Sequence, residues 1–441
     1  MAPIRLHDTR SGKLRDLVPG PGGRVGIYAC GPTVYDRIHV GNARPFVVFS
    51  LLRRFLVHEG LAPRLVINVT DVNDKIYVAA AARGVPSAEL AAEMTDAYVR
   101  DTDKLGLGRP DAEPLATETI GPIVALIGDL IENGHAYAAG GDVYFGVRTY
   151  SAYGELSHRE LEDLDQGEER DRKRDPLDFA LWKGAKPEED IAWDAAWGRG
   201  RPGWHIECSA MAEAELGVGF EIHGGGSDLV FPHHENEAAQ TGAARGWDLA
   251  QIWMHNGMVR LEQEKMAKSQ GNAFALHRAL EEFGAETLVM YLCGGHYRQP
   301  LAFSDERLAE ARARCAGIRD AVRRLPPGPT PSEVSLAGDF FAALAHDFNT
   351  PAALAVLAEQ LRRLSTAGAG RGVLSEMLEV LGLETLLVSE EAPPEVRALA
   401  ESRARAREER DWTAADRLRD EIAAAGWTVR DGPEGPELVP A

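Results

Sequence analysis

The chain has 441 residues, 44% hydrophobic and 26% charged, which excludes wholesale disorder and predicts roughly three domains at about 150 residues each. No apolar run approaches the ~18 residues of a membrane span, and the net charge of −20, from 48 basic and 68 acidic residues, argues only weakly against a polyanion partner because a local basic surface can coexist with it. Four scattered cysteines, Cys30, Cys208, Cys293 and Cys315, and an opening MAPIRLHDTRSGK without an apolar h-region predict a reducing cytoplasm and no secretory signal.

No period of 20–50 residues repeats, so a solenoid is not expected. In chain order, Arg24–Cys30 is predicted as a buried strand. Pro45–His58 is predicted as a helix with Val48, Leu51, Leu52 and Leu56 on one face, and Leu65–Thr70 as a second strand. This rhythm predicts an α/β fold with a doubly wound parallel sheet and ligands at the carboxyl ends of its strands, where Cys30 and Thr70 fall. From about Arg109 to Gly200 the pattern changes to a helix (Ile120–Asn133), a strand (Asp142–Val147) and a charged run (Asp165–Asp175) that reads as a solvated loop. This stretch is expected to be an insertion into the sheet domain, whose pattern resumes near Trp204. The proline-rich Leu325–Ser332 and Ser389–Pro394 are linkers, with helical patterns around them. After the second linker, Glu395–Ala425 reads as helical with a break at Asp411, and Trp427–Asp431 as a short strand.

Three constellations could carry chemistry. In CGPTVYDRIHVGN (Cys30–Asn42), His39-Val40-Gly41-Asn42 would sit at a helix N-terminus, where free N–H groups and the dipole favour phosphate; a plain capping loop is the competing reading. In Lys265-Met266-Ala267-Lys268-Ser269, two lysines on a loop running into Gly271 could clamp a triphosphate, or be an ordinary solvated pair. In Pro232-His233-His234-Glu235-Asn236-Glu237, His233 and Glu237 share a helical face and could bind one ion, with Cys30 and Cys208 as candidates to complete the site. Buried cysteines that act as small hydrophobes are the alternative for those two, and the expectation for Cys293 and Cys315.

The first two segments, in this order and separation, resemble the HIGH and KMSKS signatures of class I aminoacyl-tRNA synthetases. The strings YACGPTVYDRIHVGNARPFVVF, TDVNDKI, DPLDFALWK, GWHIECSAM, HGGGSDLVFPHHENE, WMHNGMV, KMAKSQGN, GHYRQP and DFNTP, with the tail RDWTAADRLRDEI, resemble the cysteinyl-tRNA synthetase family over essentially the whole chain.

That resemblance implies a Rossmann-type catalytic domain (1–108 and 201–250) interrupted by a connective insertion (109–200). A stem-contact region with the KMSKS-like loop (251–307), a helical bundle (308–394) and an anticodon-binding domain (395–441) would follow. It implies one Zn2+ on Cys30, Cys208, His233 and Glu237, to which the substrate sulfur adds. It also implies cysteine contacts at Thr70 and Trp204, and ATP or adenylate contacts at Gly41, His223, Gly225 and Asp228. The expected reaction is adenylation of L-cysteine by Mg2+–ATP, with His39, Asn42, Lys265 and Lys268 stabilising phosphate charge, then transfer to the 2′-hydroxyl of tRNA(Cys). A cytoplasmic monomer is expected. In the tail, Arg403, Arg407 and Arg410 could meet phosphate or pair within an exposed helix, and Trp427 is either a stacking platform or, more simply, core.

The chain departs from the family pattern at Ala267, where serine is usual, at Asn73, where aspartate is usual, and at Val78, where many members carry lysine. The last puts in doubt a pyridoxal-phosphate-linked persulfide side activity. Two other readings are a ligase joining activated cysteine to a sugar amine, which would not need the tail motif, and a synthetase-derived binding protein, which would lack the zinc ligands or lysines present here.

Overall fold

The computed structural model describes residues 3–163, 172–261, 264–265, 274–388, 392–432 and 435–440. They part into two compact units, Met1–Glu384 and Thr385–Ala441.

The first unit opens with an antiparallel hairpin, β1 (Arg5–Asp8) and β2 (Lys13–Asp16). Next come β3 (Arg24–Ala29), α1 (Val40–His58), β4 (Ala62–Ile67), α2 (Asp74–Arg83) and α3 (Ser87–Asp103). Helix α1 starts at Val40, earlier than the predicted Pro45, because His39 and Asn42 close a reciprocal capping box and Pro45 is carried inside the helix. The β3–β4 ladder ends at Ile67, short of the predicted Thr70. Beyond it the chain pairs with the loop after β3 instead, Thr70 N donating to Pro32 O at 3.1 Å and Val34 N to Thr70 O at 3.1 Å.

Helix α4 (Ile120–Glu132) leads into a four-stranded antiparallel sheet, β5 (Ala136–Ala139), β6 (Asp142–Phe145), β7 (Phe179–Gly184) and β8 (Gly200–Pro202). This sheet falls in the stretch expected to be an insertion, although its last strand runs slightly past Gly200. Its core is not its own: Ile127, Val143, Phe145 and Leu181 pack in one cluster with Ile206, Ala210 and Ala239 of the following helices. Of the predicted charged loop, 164–171 lies outside the described residues, and Asp175 is ion-paired with Arg148 at 2.6 Å.

The parallel sheet resumes with α5 (Trp204–Leu216), β9 (Phe220–Gly226), α6 (Glu235–Arg245) and β10 (Ala250–Asn256). Its strand order is β10-β9-β3-β4, all parallel. From β3 the chain crosses to β4 on one side and later returns as β9 on the other, so the crevice beyond these strand ends is the topological switch point where such sheets bind ligands. A small sheet of order β12-β11-β13 follows, built from β11 (Val259–Leu261), β12 (Glu264–Lys265) and β13 (Leu301–Phe303), with α7 (Leu276–Phe283) and α8 (Ala285–Cys293) between. Helices α9 (Asp305–Arg324), α10 (Ala337–Ala345), α11 (Thr350–Ala367) and α12 (Val373–Val380) complete the unit. Cys293 and Cys315 are buried on α8 and α9, as expected of small hydrophobes.

The second unit contains α13 (Pro394–Glu408), α14 (Trp412–Ala424) and the hairpin β14 (Trp427–Gly432) and β15 (Gly435–Pro440). The predicted break at Asp411 is real: its carboxylate accepts from Ala414 N at 3.0 Å and caps α14. Trp427 packs with Val396, Ala400, Ile422 and Val429, so it is core. Arg403 is buried and ion-paired with Asp431 at 2.8 Å, while Arg407 reaches the same carboxylate at 3.3 Å. Arg403 therefore serves the unit's own packing instead of presenting a free cation. Among the described residues no helix is long and apolar enough to cross a membrane.

Candidate active site

Three distant stretches converge at the switch point. Cys30 lies immediately past β3, where its N–H donates to Gly224 O of β9 at 2.9 Å. Cys208 comes from the buried face of α5, and His233 and Glu237 from the turn before α6 and its first turn. The spacing predicted for the last pair holds, with His233 Nε2 at 3.1 Å from Glu237 Oε1. One ligand atom from each of Cys30, Cys208, His233 and Glu237 falls within 4.8 Å of the other three.

A second donor set, Cys30, His223, His234 and Glu237, overlaps the first. His223 Nε2 lies 2.8 Å from Glu237 Oε2, and His234 Nε2 lies 3.3 Å from Cys30 Sγ. Behind them a chain of contacts runs from His234 Nδ1 to His255 Nε2 at 2.7 Å, and from His255 Nδ1 to Thr9 Oγ1 at 2.7 Å. His205 Nδ1 lies 2.9 Å from His233 Nδ1. His205, His234 and His255 were not singled out by the sequence reading. The only signals were the doubled histidine of PHHEN and the histidines of GWHIEC and WMHN.

Burial pushes the Cys30 thiol well up, with Cys208 and Glu237 adding to it. At Cys208 the hydrogen bond with Cys30 lowers the pKa, but burial and the nearby carboxylates outweigh it and the net shift is upward. Burial pulls His233 and His234 well down, and the neighbouring histidines pull the same way. Both imidazoles are therefore neutral lone-pair donors. Glu237 is fully buried, and its ion-pair partners among the described residues are all histidines. A carboxylate buried among thiols and imidazoles, with no lysine or arginine among its ion-pair partners in the described residues, is a setting in which a bound cation offsets the cost of burial. Two sulfurs, one nitrogen and one carboxylate oxygen are the donor chemistry zinc prefers, so these residues fit such an ion.

Thr70 and Trp204 are the two residues expected to meet the amino-acid substrate. Thr70 is buried beside Asn68, whose Nδ2 lies 3.4 Å from its Oγ1. Trp204, 37% exposed, opens α5 and lies over His233. A cavity of 290 Å³ lies alongside, lined by Thr33, Lys75, Lys183, Trp204 and His205 among others.

His39 caps α1, and its N–H donates to Asn42 Oδ1 at 3.2 Å, so both residues stand at the helix N-terminus, as expected. A Cβ at Gly41 would meet the His39 ring at 2.9 Å; the glycine makes room for the imidazole. Similarly, a Cβ at Gly224 would meet Phe49 at 2.0 Å and one at Gly225 would meet His234 at 3.0 Å. His223, expected on the nucleotide side, is fully buried against Glu237, whereas Asp228 is exposed. Lys265 lies on β12, paired with Arg260 in the ladder. Ala267 and Lys268 lie outside the described residues.

This sheet and the stretch inserted in it fall within a class I aminoacyl-tRNA synthetase catalytic domain. Residues 17–313 match the family model described as tRNA synthetases class I (C) catalytic domain, 339–385 the DALR domain, and 389–436 the cysteinyl-tRNA ligase anticodon binding domain. The chain is 43% identical over 477 residues to the cysteine–tRNA ligase of Anaeromyxobacter dehalogenans (strain 2CP-C), covering 98% of each chain. It is 43% identical over 456 residues to that of Alkalilimnicola ehrlichii, again covering 98% of each. The chain therefore belongs to the cysteinyl-tRNA synthetase family, and it is an enzyme that charges tRNA with cysteine. Solved structures with the same fold include the methionyl-tRNA synthetase of Mycobacterium tuberculosis in complex with methionyl-adenylate. That match has a TM-score of 0.59 at 14% identity, over 82% of this chain and 88% of that one. The LeuRS of Agrobacterium radiobacter K84 matches with a TM-score of 0.61 at 12% identity, over 83% of this chain and 84% of that one.

Proposed function

We propose that the protein ligates L-cysteine to tRNA(Cys) through a cysteinyl-adenylate. One zinc ion would be held by Cys30, Cys208, His233 and Glu237, and Mg2+ would arrive with ATP. The observation that carries this reading is the convergence of those four donors within 4.8 Å from three separate stretches of chain. When bound, zinc supplies a preference for a thiolate over a serine hydroxyl, a discrimination larger than the ~1–3 kcal/mol that pocket shape gives for a methylene. His223 and His234 support the cluster from behind, through Glu237 and Cys30.

Trp204 walls the cysteine pocket and Thr70 orients the substrate beside it. The substrate carboxylate attacks the α-phosphorus of ATP and pyrophosphate leaves. His39 and Asn42 present the positive end of α1 to the phosphates, and Lys265 and Lys268 add mobile charge. Gly41, Gly225 and Asp228 bound the nucleotide. The tRNA 2′-hydroxyl then attacks the activated carboxyl and AMP leaves.

The domain boundaries expected above fit this division of labour, with 395–441 reading the anticodon. Trp412 supports that role: it is 57% exposed, with the Arg407 guanidinium 5.8 Å from its ring centroid, so that a ring on which a base can stack lies beside a cation. A cytoplasmic monomer completes the reading. The test is charging of total bacterial tRNA with labelled cysteine, with serine as control. Charging by cysteine alone is expected; pyrophosphate exchange without charging of any tRNA would sink the acceptor assignment.

A further inference from the structure

Arg44 follows the first signature on α1 and is 1% exposed, yet no carboxylate among the described residues pairs with it. Its guanidinium donates to three backbone carbonyls instead: Gly257 O at 2.5 Å, Gln299 O at 2.7 Å and His296 O at 3.0 Å. Burying a guanidinium among neutral acceptors carries a large desolvation cost, and burial lowers its pKa to about 10, which still leaves it charged at neutral pH. Such an arrangement calls for a reason.

The three carbonyls sit at the roots of β11 and β13. Gly257 N donates to Tyr297 O at 2.7 Å, and Leu301 N to Met258 O at 2.9 Å. The two backbones approach so closely that a Cβ at Gly257 would meet Gln299 at 2.3 Å. From this root β11 runs alongside β13 and pairs antiparallel with β12, which carries Lys265. The far end of the same segment is fastened to the same helix end: Val40 N donates to Phe274 O at 3.0 Å, and Leu276 N to Ile38 O at 3.0 Å. Both ends of the lysine-bearing segment are thus tied to the N-terminus of α1, the near end through Arg44.

Asp347 holds the opposite face of the 296–299 stretch. It accepts from Tyr297 Oη at 2.7 Å, from Arg298 Nε at 2.8 Å and Nη2 at 2.6 Å, and from His7 N at 2.9 Å. The strings GHYRQP and DFNTP, which the proposed reaction leaves without a task, therefore meet here.

We infer that Arg44 is a positioning residue for adenylate formation, which sets the β11–β12 hairpin, and with it Lys265, in register against His39 and Asn42. The inference rests on the proposed roles of Lys265 and His39. Arginine suits the task because its planar fork spans several carbonyls at once, which the point charge of lysine does not.

A double-mutant cycle tests it, with single-turnover pyrophosphate release as the readout and zinc content and melting curves as controls. Arg44→Lys is expected to slow adenylate formation about thirtyfold with the KM for cysteine and the zinc content unchanged, but less than about threefold in a Lys265→Ala background. Equal losses in both backgrounds would overturn the inference, because Arg44 would then act independently of Lys265. If Lys265→Ala alone runs at the parental rate, the proposed role of Lys265 fails first, and that variant by itself distinguishes this failure. Should Arg44→Lys not fold, Tyr297→Phe, which loosens the same stretch from Asp347, takes its place in the cycle. A several-fold loss that vanishes in the Lys265→Ala background supports the inference, and an additive one overturns it.

Discussion

The indole of Trp204 lies flat on the imidazole of His233, ring centroids 4.2 Å apart and planes inclined by 23°. The residue proposed to wall the cysteine pocket thus also fixes the orientation of a proposed metal ligand. Trp204→Ala should raise the KM for cysteine about tenfold and lower zinc retention on dialysis, while Trp204→Phe keeps most of both. Pyrophosphate exchange at varied cysteine, with metal analysis of the same samples, checks this. An unchanged KM would remove Trp204 from the pocket.

Cys208→Ser keeps the shape of a fully buried side chain and removes the sulfur proposed to bind zinc. Zinc content should fall from near one per chain to well below that, and cysteine-dependent exchange should be abolished. Full activation of cysteine by the substituted protein would remove the metal assignment.

Trp412 and Trp427 should behave oppositely. Trp412→Ala takes away an exposed ring and should raise the KM for tRNA about tenfold, leaving pyrophosphate exchange and thermal stability near parental values. Trp427→Ala empties a core position and should destabilise the second unit by about 3 kcal/mol or more. Charging kinetics and melting curves on both variants separate the roles.

The Arg403 hydrogen bond, with Arg407 adding its charge, holds the Asp431 carboxyl below its ordinary value. A carboxylate whose folded pKa is depressed contributes stability that is fully present above its unfolded value of about 3.9 and is lost as pH falls through the folded value. The effect is small because Asp431 is half exposed. Acid titration of the full chain, followed by tryptophan fluorescence, should show Asp431→Asn flattening the profile below about pH 4. An unchanged profile would mean the pair contributes nothing.

Ala267→Ser recreates the usual family loop. ATP turnover should change only modestly, because both lysines are present in either protein. A change above about a hundredfold, ~2.7 kcal/mol, would show that the hydroxyl matters more than the charges.

Much of the fold was legible from local pattern. The alternation of β3, α1 and β4, the break at Asp411 and the proline-rich linker after α9 are written in short-range periodicity and turn chemistry; of the second linker, 389–391 lies outside the described residues. The shared face of His233 and Glu237 follows from helical spacing alone. The placement of His39 and Asn42 at a helix N-terminus was legible too, although the apolar pattern by itself marks the helix only from Pro45. Trp427 was readable as core, but Trp412 went unnoticed, because exposure depends on which face a neighbouring hairpin covers.

By itself the sequence determined the chemistry on offer: two thiols, an imidazole and a carboxylate, two signature segments in a fixed order, and helices and strands whose periodicity is local. Only the tertiary structure decided which of these groups meet. Cys30 and Cys208 come together because a parallel sheet returns the chain to the far side of β3, and no local spacing encodes that return. His223 faces Glu237, and Arg44 reaches Gly257 and Gln299, for the same reason. Contacts between distant segments are set by sheet order and packing, which arise only when the whole core is buried at once.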